Sequence, residues 1–276
     1  MVNKFVSFFL LLLIADNSFS QKVRKLKANP PGTVQVNDTL FADISEVANV
    51  HWREYLYYLL DINKDTQAYK EALPDTLVWI TGYIENPLSQ YYFRHPGFNN
   101  YLAAGISYEQ VLKFCKWRTY VANQGIYFKE NNIKAWKLHL EDTFPIRFYY
   151  RLPTKEEWEM IADPEIDSSG RIFRKFNGRS VFHFNTKEVA DSMKRKTDPH
   201  LPFTPDVFTA SVMSYFPNKY GMYNMIGNVA EMISEKGIAK GGSFIHPLYS
   251  CRIHMDQHYD QPERWLGFRC VAVVIK

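Results

Sequence analysis

The chain has 276 residues, 46% of them apolar and 22% charged, with a formal charge of +4. That balance excludes a disordered chain and provides a real core for one large domain or two small ones. The basic residues are scattered apart from Met193–Lys196 (MKRK), which reads as a solvated loop, and no nucleic-acid motif is present.

Residues 1–20 have one lysine, an apolar run from Phe5 to Ala15 and small residues at Ser18 and Ser20. This is the pattern of a secretory signal peptide cleaved after Ser20. The run is shorter than the roughly 20 residues a membrane helix needs, and no later run holds the mature chain in a membrane. The expected product is secreted, periplasmic or in the cell envelope. Export favours disulfides, and three cysteines allow one bond and leave one thiol over.

A basic lead-in, residues 21–29, ends in a Pro-Pro-Gly turn. Val34 and Val36 alternate with polar neighbours, as in a strand. From Val47 onward Val50, Tyr55, Leu56 and Leu59 recur at helical spacing, with Ser45 placed to cap. Residues 73–105 are rich in turn residues and aromatics and read as loop, with one short strand over Leu77–Ile80. Ser107 and Gln110 form a capping box before a helix that buries Val111, Leu112, Cys115 and Tyr120. Thr154 and Glu157 repeat the box, and Trp158 and Ile161 face inward. Pro164–Pro205 shows no clean period and reads as a long irregular excursion. Tyr223–Ile233 reads as short strands or a turn, and FRCVAVVIK (Phe268–Lys276) as a terminal strand.

Five landmarks come in a set order: GISYEQVLKFCKW, RLPTKEEWEMIA, PNKYGMYNMIGNVAEM, KGGSF and LGFRC. With PPGTVQV and DISEVANVHWREYL they resemble the formylglycine-generating enzyme family, the sulfatase-modifying factor domain, over residues 30–276. The resemblance implies an α+β, loop-rich, compact single domain with short strands and a few helices, related to C-type lectins. It also implies one of several roles. One branch oxidises a sulfatase cysteine with copper and oxygen. Another supports sulfoxide or C–S chemistry with iron. Others serve the cell envelope in gliding motility and secretion.

The copper enzymes place two cysteines five residues apart after the Gly-Gly-Ser turn. In that register the second falls on Cys251 and the first on His246. A Cys/His pair does not reproduce the bis-thiolate site that Cu(I) prefers, so copper is not expected. Ser243 lies beside the reactive cysteines of those enzymes and otherwise serves the turn. Three readings of Cys251 stay open: a buried free thiol, a metal ligand with His246, His254 or His258, or part of an oxidase centre with His246. The resemblance also implies calcium at Asn228, Val229 and Glu231, and a disulfide between Cys115 and Cys270. Closing so long a loop would contribute about 4–5 kcal/mol in the chain-entropy model. The expected function is an exported binding or assembly component with a protein or peptide partner in the envelope.

Overall fold

The computed structural model describes residues 29–80, 87–133, 143–162, 173–196 and 209–275. The signal segment and most of the basic lead-in lie outside these residues, as does part of Pro164–Pro205. Among the described residues no helix is long and apolar enough to cross a membrane.

The first sheet joins the two ends of the chain. Strands β1 (Thr33–Gln35), β2 (Leu40–Asp43), β3 (Phe148–Arg151) and β10 (Val271–Val274) pair antiparallel in the order β1-β2-β10-β3. Val271 stands opposite both Ala42 and Arg151. The terminal strand is therefore central, which suits its run of small and β-branched side chains.

Helix α1 (Asn49–Tyr57) buries Trp52, Tyr55 and Leu56 and runs into a π-helical turn, Tyr58–Ile62, that buries Leu59. Its cap is Ala48, whose N–H donates to the His51 imidazole at 3.4 Å; Ser45 lies too early and bonds the Glu46 carbonyl instead. After the short helix α2 (Thr66–Glu71), Leu77–Ile80 is not a strand. Asp75 accepts the Leu77 N–H and starts a 3-10 turn over Thr76–Trp79, and Trp79 packs on Tyr92 beyond the one-turn helix α3 (Leu88–Tyr91).

Helix α4 (Tyr108–Asn131) starts at the Ser107–Gln110 box, closed in both directions at 3.2 and 2.7 Å. It buries Val111, Phe114 and Cys115, spaced i, i+3, i+4. Leu112 turns outward and is 45% exposed, since it falls a third of a turn from that stripe. Phe114 stacks on Trp52, and both meet Phe268 edge-on, forming the centre of the main core. Full burial of each such side chain contributes about 2–3 kcal/mol. Helix α5 (Lys155–Ile161) uses the Thr154–Glu157 box and buries Trp158 and Ile161.

The described part of Pro164–Pro205 is regular, not irregular. Strands β4 (Phe173–Phe176) and β5 (Arg179–Phe182) form a hairpin about Asn177 and Gly178, both at positive φ, the pair a type I′ turn requires. Helix α6 (Lys187–Lys196) follows, so MKRK ends a helix and is not a loop. The second sheet, β8-β7-β6-β9, comprises β6 (Ala230–Met232), β7 (Ile238–Lys240), β8 (Asp256–His258) and β9 (Leu266–Phe268). Its β6–β9 pair is parallel. Strand β6 and the turn after β7 carry the site.

Candidate functional site around the Gly-Gly-Ser turn

Strand β7 ends in Gly241 and Gly242, at φ +86° and +63°. A Cβ on Gly242 would stand 2.4 Å from the Cys251 sulfur, and one on Gly241 would strike the Trp158 ring and the Met225 carbonyl. Two glycines are needed so that this turn can close between the indole of α5 and the thiol.

Cys251 ends a 3-10 turn, Leu248–Cys251, and is fully buried among Phe184, Ile226 and Leu248. Its thiol reaches the Pro247 carbonyl at 3.4 Å and the His246 carbonyl at 3.7 Å. Burial pushes the thiol pKa up to about 12. A buried thiol held in its neutral form is a poor nucleophile. The His246 ring is engaged elsewhere. Its Nδ1 shares a 2.7 Å hydrogen bond with Ser243 Oγ, and the ring stands edge-on to Trp265. Burial lowers its pKa below the usual imidazole range. Ser243, fully buried, also accepts the Ile245 N–H and so serves the turn. His254 and His258 are exposed while Cys251 is sealed inside. Among the described residues no group of three or more His, Cys, Asp or Glu could hold a metal ion.

Behind the turn lies a buried charge cluster. Glu231, on β6, accepts from Trp158 Nε1 at 2.7 Å and from Arg269 Nε and Nη2 at 2.6 Å each. Arg269 is wholly buried and also donates to the Asp43 and Tyr223 carbonyls. Asn228 Oδ1 accepts from the Ala210 N–H and from Asn185, and its Nδ2 donates to Glu46 Oε1 at 2.7 Å. Asn224 Nδ2 donates to the other oxygen of Glu46. Burial raises the Glu46 carboxyl to about 8, and the Glu231 charge adds to this; Arg269 and Asn228 oppose it. Glu46 also lines a cleft of about 490 Å³ between α1, α4 and the segment after β2. Sequence reasoning missed Glu46 and Asn224, since no spacing links residues so far apart in the chain.

Cys115 and Cys270 lie side by side in the core, their sulfurs 3.6 Å apart as thiols. Arg118 and Asp43 form a two-pronged pair next to them, at 2.6 Å in each arm.

The profile of the family described as Sulfatase-modifying factor enzyme 1-like domain matches residues 11–274. The chain belongs to that family. No curated protein matches it. Among solved structures it is similar to PvdO from Pseudomonas aeruginosa, at 20% identity over 64% of this chain and 63% of that one, with a TM-score of 0.39. The matched part thus spans less than two thirds of PvdO. It is also similar to CarF, at 20% identity over 86% and 87% of the two chains with a TM-score of 0.42. Treponema denticola variable protein 1 matches at 14% identity over 91% and 94%, with a TM-score of 0.40.

The residues of this sulfatase-modifying-factor-like chain do not fit a two-thiolate copper centre. The position that matches the first thiol holds an imidazole turned to Ser243, and Cys251 is enclosed by apolar side chains. Of the calcium set that the resemblance implies, the Asn228 Oδ1 and the Glu231 carboxylate accept protein donors, and Val229 is buried.

Proposed function

We propose that this protein is an exported binding or assembly component of the cell envelope, of the kind that serves gliding or secretion. In this reading it uses a sulfatase-modifying-factor scaffold without oxidase chemistry and engages a protein or peptide partner. The observation that supports it is the setting of Cys251: buried and enclosed by apolar side chains, beside an imidazole committed to Ser243. On export, Cys115 and Cys270 exchange with an oxidised oxidoreductase to form a disulfide, which their contact supports.

Oxygen uptake by the purified protein with copper and a cysteine peptide tests the chemical part. No uptake beyond that of free copper is expected. Uptake that Cys251→Ala abolishes would overturn it in favour of an oxidase that uses Cys251 with His246. Mass spectrometry of protein from the envelope fraction tests export. A mature N-terminus near Gln21 is expected, and full-length protein confined to the cytoplasm would refute export.

A further inference from the structure

The cleft between α1, α4 and the segment after β2 is separate from the Gly-Gly-Ser turn: none of its lining residues belongs to that turn. Its volume of about 490 Å³ lies within the range of sites that enclose a ligand, about 300–1,000 Å³. Helix α4 explains why the wall is apolar. Phe114, Trp117 and Val121, spaced i, i+3, i+7, form one stripe along the cleft. Trp117 and Val121 are only half-buried. Ile44 and Val47 add apolar surface from the segment after β2, and Met213, 58% exposed, stands at the mouth. Methionine adapts to varied apolar partners and suits a binding rim.

Two polar groups of this cleft lack partners. The Trp117 Nε1–H is buried and has no acceptor among the described residues. The indole is wedged against Tyr55 and Phe114, with ring centroids at 5.1 and 5.3 Å, so it is not free to turn toward one. A buried donor left unpaired is a standing cost that an incoming acceptor removes. The second group is Glu54. Asp43 and Arg118 hold each other, and Glu46 is held deeper by the amides of Asn224 and Asn228. The neighbouring His51 ring accepts the Ala48 N–H. Glu54 is exposed on α1 and has no ion pair among the described residues. The cleft therefore suits a ligand with an apolar body, a hydrogen-bond acceptor beside it and a positive charge at one end. An extended peptide with a basic residue next to an apolar one supplies all three, because a long basic side chain keeps its charged head in water at the mouth.

We propose that this cleft binds an extended peptide segment of a partner. An apolar side chain enters against Phe114 and Val121, a peptide carbonyl accepts from Trp117 Nε1, and an adjacent lysine or arginine pairs with Glu54. This assignment rests on the binding reading above, for which it supplies the surface, and not on export or the envelope.

Titration of the isotope-labelled chain with an acetylated, amidated Ala-Leu-Lys-Leu-Ala peptide, followed by nuclear magnetic resonance, tests it. The Trp117 indole N–H signal, identified by its loss in Trp117→Phe, should move downfield as it gains an acceptor. Val121→Arg, at a half-buried position, should abolish the shift while keeping the far-UV circular dichroism of the parent. Glu54→Lys should weaken binding at least about threefold, the scale of an exposed charge pair. The same variant should bind the Ala-Leu-Glu-Leu-Ala peptide more tightly than the lysine peptide, a reversal that a merely structural Glu54 would not give. An indole signal that stays in place up to millimolar peptide would overturn the proposal. So would an unchanged preference for lysine in Glu54→Lys, an exposed substitution that leaves the core intact. Oxygen uptake decides the functional reading separately: a chain with neither uptake nor a peptide response loses this cleft and keeps that reading.

Discussion

Two neighbouring regions of the second sheet are built from opposite materials. Around β6 the interior is ionic: Glu231, Arg269, Glu46 and two asparagines meet with scarcely any solvent. Around the turn that follows β7 the interior is apolar: glycines, Phe184, Ile226 and Leu248 seal one thiol. The first region ties the ends of the chain together, since Arg269 also donates to Asp43 beside β10. The second encloses Cys251 in apolar side chains. The difference teaches that in the first region buried ion pairs hold distant strands together, while in the second close apolar packing surrounds one thiol.

If so, damage to the scaffold should cost far more than damage to the turn. The largest effect is expected at Cys115 and Cys270. Exported protein unfolded without reductant should show one free thiol, and reduction should lower unfolding free energy by about 4–5 kcal/mol in denaturant titration. Three free thiols would mean that the contact stays reduced. Next comes Arg269→Met, which strands Glu231 as a buried charge and should cost about 3–5 kcal/mol. The double variant with Glu231→Leu should regain most of that loss, and no recovery would show that the pair is not the cause.

Glu46 gives a pH-dependent test. Its folded pKa is raised to about 8 from an ordinary 4.5, with Glu231 and Arg269 the charged groups that act on it. Between those values the folded state holds a proton that the unfolded state has released. Stability therefore falls as pH rises through this window and levels off above it, by a few kcal/mol in order of magnitude. The parent should show this slope in thermal melts, Glu46→Gln should lack it, and the two should converge below about pH 4.5. A parallel pair of curves would refute a protonated Glu46. The smallest effect is expected at Cys251→Ala, about 1 kcal/mol. A small alkylating reagent should label Cys251 only as the chain unfolds, and rapid labelling of native protein would break the comparison.

Local signals were legible wherever one short segment settles its own structure. The Ser107 and Thr154 capping boxes and the buried Trp158 appear as read, and the terminal strand appears in shorter form, Val271–Val274, with Phe268 closing β9 instead. The Asn177-Gly178 turn is equally local, but its charged neighbours hide the strand pattern on either side of it. Ser45 and Leu77–Ile80 failed for another reason. His51 and Asp75 supplied competing hydrogen bonds that patterning by hydrophobicity does not register.

The sequence by itself determined the family, the α+β class and the helix starts at Ser107 and Thr154, because motif order and caps are properties of neighbours along the chain. It also singled out Cys115 and Cys270, which meet in the core. Only the tertiary structure decided what the site residues do. It turned His246 to Ser243 and shut Cys251 away. It gave Glu231 to Arg269 and left Glu46 facing Asn224 across 178 positions of sequence. The reason is physical: the charge state and accessibility of a group depend on which distant side chains exclude water from it, and that is set by packing.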